Sequence, residues 1–122
     1  MTSEAAIVRA ILKYLNSLPK CLARKRWGGG MGVAGDPDID ACFRGRSLQL
    51  EVKRPGERPT ALQVRRLEDW RQAGAIVGVV VRVDDVRSLL TVEGLLSAGP
   101  EAPERETLKN SANLSRLAGI SK

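Results

Sequence analysis

Two short segments in which apolar and polar residues alternate constrain the fold of this chain more than any other feature. In residues 38–43 and again in residues 47–53, every second side chain is apolar. Strict alternation is typical of a strand that buries one face and exposes the other. Between the segments lie Arg44, Gly45 and Arg46, and the glycine can adopt the positive φ that a tight hairpin turn requires. The sequence therefore predicts an antiparallel hairpin.

The other predicted elements follow from hydrophobic periodicity and from capping residues. A nearly continuous apolar, β-branched run near residue 80 is typical of a strand covered on both faces. The elements are a helix over 3–18, a weak strand over 20–27, the hairpin strands over 38–43 and 47–53, a helix over 60–73, a strand over 75–83 and a third helix from 86 to 96.

This order of elements predicts an α/β protein with a small mixed sheet flanked by helices. Because the last strand follows a crossover helix, it should lie parallel to the third strand. Residues 1–96 are expected to form one domain. Residues 97–122, which are rich in Pro, Glu, Ser and Asn, are expected to be a tail or a loosely docked helix.

Composition excludes several classes of protein. The chain has no histidine, which rules out His-based triads and His-ligated zinc sites. Two cysteines cannot form a disulfide framework. The sequence has neither a run of ~20 apolar residues nor a signal peptide at its start. We therefore expect no membrane association and a cytoplasmic location, in a bacterial or phage-infected cell.

The charge distribution indicates an anionic partner. The net charge is +6, and nucleic acid is the commonest partner of such basic chains. An acidic segment that includes Asp36, Asp38, Asp40 and Glu51 lies between basic residues on both sides. This pattern fits either a solvated surface or a groove that attracts phosphate and has a metal site at its floor, and charge alone does not choose between them.

The hairpin register bears on this choice. If both apolar sets are buried together, Asp38, Asp40, Glu51 and Lys53 share the opposite face, and either Asp38 or Asp40 stands opposite Glu51. Opposed carboxylates destabilise a plain sheet, whereas a divalent cation between them reverses the interaction. Carboxylate oxygens are what Mg²⁺ or Mn²⁺ prefers, and the backbone carbonyl of Val52 can add another oxygen.

Three short motifs occur in order along this part of the chain: Gly35-Asp36-Pro37-Asp38, then Glu51-Val52-Lys53, then Gln63. With these motifs, the sequence from about Glu4 to Val83 resembles the VRR-NUC (virus-type replication-repair nuclease) family of the PD-(D/E)xK nuclease superfamily. The resemblance implies a restriction-endonuclease-like αβββαβ core.

The resemblance also implies roles for individual residues. Asp38 and Glu51 would be metal ligands and Lys53 the catalytic lysine, while Gln63 would lie in the site and Glu4 would help to hold a metal or a water. Two of these residues have structural alternatives. Gln63 fits a capping box with Thr60, and Glu4 fits a charge that complements the helix dipole.

The expected function is that of a divalent-metal-dependent DNA endonuclease without a small-molecule cofactor. By resemblance, it would be a homodimer that acts on four-way junctions. Trp27 is open to two interpretations, base stacking or a structural role. The expected DNA contacts are Lys20, Arg24, Lys25, Arg26, Arg54, Arg58, Arg65 and Arg66.

Two alternative functions remain open from the sequence. One is a non-catalytic nucleic-acid-binding module, although four carboxylates without a metal would weaken phosphate binding. The other is a sequence-specific restriction-type endonuclease, although 122 residues leave little room for a recognition region.

Overall fold

The structure is a computed structural model that describes residues 2–27, 30 and 32–97. The residues up to Val83 form one compact unit, and a second unit begins at Asp84. The described elements are α1 (Glu4–Ser17), β1 (Cys21–Lys25), β2 (Ile39–Phe43), β3 (Arg46–Val52), α2 (Ala61–Gln72), β4 (Ile76–Val80) and α3 (Val83–Val92).

The four strands form one mixed sheet in the order β1-β2-β3-β4. β1, β2 and β3 are mutually antiparallel neighbours, and β4 is parallel to β3. Arg44 and Gly45 form the turn between β2 and β3 with φ values of 51° and 83°. Positive φ at both positions is typical of a type I′ turn, whose twist matches that of the strands it joins. The predicted hairpin, the mixed sheet and the parallel last strand are confirmed.

Local capping explains where the first two helices begin and end. Ser3 accepts a hydrogen bond from the Ala6 N–H at the start of α1. At the start of α2, Thr60 and Gln63 form the predicted capping box. Gly74, with φ of 106°, follows the end of α2. These contacts satisfy backbone groups that a helix end would otherwise leave without partners.

The apolar face of the sheet forms the core together with the buried side of α1. Ile39, Leu48, Leu50 and Val52 of the sheet are almost completely buried, as is Ile11 of α1. The helix packs against β1 and β3. Burial of this face leaves the other face of β2 and β3 for polar side chains, as the alternation predicted.

The free edge of β1 is closed by one side chain of α1. The amide of Asn16 donates to the Ala23 carbonyl at 3.1 Å and accepts from the Ala23 N–H at 2.9 Å. The side chain thus occupies two of the backbone groups that an edge strand otherwise presents to solvent or to another chain.

Two expectations about the last elements are wrong. Val79 remains 43% exposed, so β4 is not fully covered on both faces. Among the described strands, β4 lies at an edge of the sheet. α3 begins at Val83, three residues before the predicted start, and ends at Val92. Gly94 adopts φ of 78°, and Leu95 N–H donates to the Leu90 carbonyl, which is the pattern of a glycine-terminated helix.

The predicted tail over 97–122 lies outside the described residues except for its first one. The domain boundary at residue 96 therefore stays a prediction. Among the described residues, each helix is too short or too polar to cross a lipid bilayer.

The core can be tested at Leu50, which is fully buried in the centre of β3. We expect Leu50→Ala to lower the free energy of unfolding by about 2–5 kcal/mol, because it removes buried methyl groups and leaves a cavity. Leu22→Ala is the matched control: Leu22 is 57% exposed, and its loss should change stability by about 0.5 kcal/mol at most. Urea denaturation measures both, and equal effects would contradict this description of the core.

Candidate active site

The pairing register brings Asp38 opposite Glu51. Ile39 pairs with Leu50 at the end of the β2–β3 ladder, so the next residues outward, Asp38 and Glu51, face one another. This is the first of the two registers that the sequence allowed. Lys53 follows on the same side of the chain, with its Nζ 3.8 Å from Glu51 Oε2. The structure therefore gathers the two predicted carboxylates and the predicted lysine in one place.

A proline interrupts the ladder at this point. The register, continued by two residues, places Pro37 opposite Val52, and proline has no N–H to donate to the Val52 carbonyl. The Pro37 carbonyl instead accepts from the Arg26 guanidinium at 2.7 Å. The Val52 N–H donates to Asp38 Oδ2 at 2.8 Å. The aspartate side chain thus replaces a backbone partner, which holds one carboxylate oxygen against the end of β3.

Glu51 is a buried carboxyl group without enough partners. Its side chain is 1% exposed, and Oε1 is buried without a hydrogen-bond partner. Burial, followed by the hydrogen bond and charge of Asp38, raises the pKa of Glu51 to about 8, against the opposing charge of Lys53. Burial and the neighbouring Asp38 thus favour the protonated form of Glu51, and a cation bound here would favour the ionised form.

The donor set fits a hard divalent cation. Asp38 and Glu51 supply carboxylate oxygens, and the Val52 carbonyl, which lacks a donor from Pro37, can supply a third. A cation here would give the unpartnered Glu51 oxygen a partner and would reverse the repulsion between the two carboxylates. Within residues 2–27, 30 and 32–97, no group of three or more His, Cys, Asp or Glu side chains is close enough to hold an ion. The carboxylate part of the site is therefore a pair.

Glu4 approaches this pair from the first turn of α1. Burial and a hydrogen bond with Glu57 raise the pKa of Glu4, and it also interacts electrostatically with Lys53 and Asp38. Hydrogen bonds from Arg54 lower the pKa of Glu57 to about 2. Glu57 was missed in the sequence because it lies in a loop and belongs to no motif. The predicted role of Glu4 in holding a metal or water stays a prediction.

Gln63 has the structural alternative considered above. Its side-chain oxygen accepts from the Thr60 backbone N–H at 2.8 Å, and the Gln63 backbone N–H donates to Thr60 Oγ1 at 3.1 Å. The side-chain oxygen is therefore occupied in the capping box. A contribution of Gln63 to the active site stays a prediction.

Arg26 lies at the centre of a partly buried polar network beside the carboxylates. Its guanidinium donates to Gln49 Oε1 at 2.8 Å, lies 3.9 Å from Asp36 and 3.8 Å from Asp40, and stacks over the Trp70 ring. Gln49 is fully buried and also donates to Asp40 at 2.6 Å. The Trp70 indole donates to Asp36 at 3.3 Å. The network links β1, β3 and α2 to the loop that carries Asp38.

Part of this network had a signal in the sequence. Gln49 alternates with Glu51 and Lys53 along β3, so the pattern placed it on the polar face. The pattern did not show that it would be buried there. Its burial depends on α2 and on Arg26, which come from distant parts of the chain. Arg26 is 23 residues from its partner Gln49, and Trp70 of α2 is 34 residues from its partner Asp36.

Gly35 is required by the packing of the loop that precedes Asp38. Its φ is 81°, and a methyl group on its Cα would lie 2.7 Å from Leu62 Cγ. In the same loop, the Ala34 carbonyl accepts from the Arg66 guanidinium at 3.1 Å. The glycine of the Gly35-x-Pro37-Asp38 motif therefore lets this loop pass close to α2.

The structure divides the predicted DNA-contacting residues into groups. The Arg26 side chain is only 18% exposed and is engaged within the protein, and its contact with DNA stays a prediction. Lys20 lies beside Arg44, whose N–H donates to the Lys20 carbonyl, at the opposite end of β2 from Asp38. The Arg66 guanidinium donates to the Ala34 carbonyl in the loop that precedes Asp38. The remaining members are exposed: Arg24, Lys25, Arg54, Arg58 and Arg65.

Two solved VRR_NUC structures share this architecture. A "VRR_NUC domain" is 29% identical, with a TM-score of 0.62, and the match covers 74% of this chain and 96% of that one. The chain is a VRR-NUC-like domain. A "VRR_NUC domain protein" matches 78% of this chain and 91% of its own length, also with a TM-score of 0.62. Because its sequence is only 20% identical, this match shows a shared fold and no more.

A third structure with a related fold is Archaeoglobus fulgidus Hjc, a Holliday junction resolvase from an archaeal hyperthermophile. It is 27% identical, with a TM-score of 0.51, and the match covers 64% of this chain and 67% of that one. No known family profile and no curated protein sequence matches the chain. The resemblance inferred from the motifs and the predicted restriction-endonuclease-like α/β class are thus confirmed by structure comparison.

The raised pKa of Glu51 has a measurable consequence for stability. The ordinary pKa is 4.5 and that of folded Glu51 is about 8, so between these values the folded state binds more protons than the unfolded state. The free energy of unfolding of the metal-free VRR-NUC-like domain should therefore fall as the pH rises from about 5 to about 8. Glu51→Gln cannot ionise and should fall less over the same interval.

Urea denaturation in EDTA at several pH values measures this difference. Added Mn²⁺ should stabilise the wild-type protein more at pH 8 than at pH 5.5, because the cation competes with the proton for Glu51. Equal slopes in wild type and Glu51→Gln would contradict the burial of an ionisable Glu51.

Proposed function

We propose that the chain is a divalent-metal-dependent DNA endonuclease that hydrolyses phosphodiester bonds. Its likeness to VRR_NUC domains and to a Holliday junction resolvase supports a nuclease. The observation that carries the metal dependence is the buried, unpartnered Oε1 of Glu51 opposite Asp38. A divalent cation is the partner that satisfies both carboxylates at once.

The proposed chemistry assigns a part to each of these groups. Mg²⁺ or Mn²⁺, held by Asp38, Glu51 and the Val52 carbonyl, would polarise the scissile phosphate and acidify a bound water. Lys53 is 13% exposed and lies beside Glu51. Its ammonium group would donate to an oxygen of the scissile phosphate, where negative charge grows in the transition state, or would orient the attacking water. Gln63 and Glu4 would assist from positions around this centre.

The exposed arginine and lysine side chains of the αβββαβ domain would bind the phosphate backbone of the DNA. These contacts position a duplex but do not read its sequence. The described residues contain no recognition element beyond the αβββαβ core and α3, which favours recognition of DNA shape over sequence. The proposed contacts are Arg24, Lys25, Arg54, Arg58 and Arg65.

Lys53→Ala tests the mechanism. We expect DNA binding to be retained and cleavage in Mg²⁺ or Mn²⁺ to fall about 100-fold or more, the usual effect of removing one group that stabilises transition-state charge. Cleavage of end-labelled DNA and a gel-shift assay measure the two properties, and EDTA should abolish cutting by the wild type.

The matched control is Lys13→Ala, because Lys13 is an exposed lysine of α1 that contacts none of the site residues described above. It should cut like the wild type. Normal cutting by Lys53→Ala would overturn the mechanism. Binding without cutting by the wild type under any metal condition would favour the non-catalytic module.

We further propose that the enzyme prefers branched DNA and acts as a homodimer. The likeness to a Holliday junction resolvase supports this substrate class. The described part of the chain contains one such pair of opposed carboxylates, so two symmetric cuts would need a second copy. The cytoplasm is the proposed location, which the free thiols of Cys21 and Cys42 support, because disulfides are rare in that compartment.

Substrate choice and assembly can be measured together. Labelled four-way junction, flap and linear duplex should be cut in that order of preference. A mixture of wild type with excess Lys53→Ala should convert paired junction cuts into single nicks, because a mixed dimer has one working site. Equal cutting of duplex, or a monomer by sedimentation at the assay concentration, would remove the junction and dimer proposals and leave the nuclease proposal.

A further inference from the structure

The exposure of Trp27 has no explanation within the described part of the protein. The chain has two tryptophans. Trp70 is partly buried, stacks with Arg26 and donates a hydrogen bond to Asp36. Trp27, in contrast, is 89% exposed. Indole is a large, mostly apolar group that usually stabilises a protein or an interface through burial, so its position at the surface indicates an external partner.

Trp27 stands directly beside the proposed active site. The preceding residue, Arg26, donates its backbone N–H to the Asp38 carbonyl at 2.7 Å, so the chain is still held against Asp38 where Trp27 begins. Trp27 and Val33, which is 59% exposed, line a groove of about 320 Å³ whose other walls include Pro37 and Asp38. An exposed apolar surface therefore borders a proposed metal ligand.

The charged residues near this apolar surface indicate what kind of ligand it can bind. Two exposed cations, Arg24 and Lys25, precede Trp27. A ligand with a flat apolar face attached to an anionic chain matches an indole flanked by cations, and a nucleobase on its phosphate backbone has this form. We propose that Trp27 is a stacking platform for an unpaired base of the DNA next to the scissile phosphate.

This inference rests on the proposed nuclease function and narrows its substrate. In an intact duplex, the faces of the bases are covered by their neighbours, and only their edges are accessible. A base at a branch point, bulge, flap or strand end can offer its face to the indole. Trp27 would then favour branched or partly single-stranded DNA without reading sequence, because every base has a π-face.

Equilibrium binding in EDTA, where DNA is not cut, tests the proposal. The probes are a four-way junction and a one-base bulge, each with 2-aminopurine at the unpaired or branch-point position, and a linear duplex. The wild type should quench the fluorescence of 2-aminopurine in the junction and bulge probes. Trp27→Ala should lose the quenching and bind those probes about tenfold more weakly, within the range observed for base stacking, while Trp27→Phe should retain most of both.

The control is Leu22→Ala, which removes an exposed apolar side chain of β1 outside the groove and should change neither property. Because Trp27 is exposed, its variants should melt at the wild-type temperature. Unchanged binding and quenching by Trp27→Ala would overturn the platform, as would conversion of a dimer into a monomer by that substitution. If Trp27→Ala keeps the wild-type substrate preference while cutting normally in Mg²⁺, only this inference fails. If the wild type neither cuts nor binds any DNA, the proposed function fails as well.

Discussion

A carboxyl group that is withdrawn from water and placed opposite a second carboxyl group is the constraint on which this structure depends. Glu51 occupies such a position across the β2–β3 hairpin from Asp38. Proteins rarely bury a charge without a partner, because its desolvation is unfavourable. The surrounding backbone maintains the arrangement: Pro37 interrupts the ladder, and the Val52 N–H holds the aspartate. The domain therefore accepts a local loss of stability at the place where chemistry is expected.

The hairpin and its carboxylates were predictable because they depend on local rules. A side-chain period of two and a short turn limit which residues can face each other, so the sequence reduced the partner of Glu51 to Asp38 or Asp40. The observed register selects Asp38. The network around Arg26 could not be predicted in this way. Its partners Gln49 and Trp70 come from β3 and α2, and only the packing of these elements brings them together. Likewise, the apolar composition of β4 did not show that it would be an edge strand.

The basic segment before the glycine-rich loop shows how a fold gives different roles to similar residues. In the sequence, Lys20, Arg24, Lys25 and Arg26 form one cluster of positive charge. In the structure, Lys20 lies at the turn end of the sheet, whereas the Arg26 side chain takes part in a partly buried polar network. Of this cluster, only Arg24 and Lys25 remain as exposed cations on the strand that leads to the carboxylates. Net charge indicated only an anionic partner, whereas strand geometry determines which of these cations are available at the surface.

The contact between Asn16 and Ala23 bears on how two copies of the chain can associate. Sheets often join end to end when the outer strand of one subunit pairs with that of another. Here the amide of α1 already occupies both backbone groups of Ala23, in the middle of β1. A continuous intersubunit sheet through β1 would first have to break two hydrogen bonds and displace the end of α1. Assembly through helix surfaces or other edges avoids this loss, so the proposed dimer would be expected to form through a contact that leaves β1 intact.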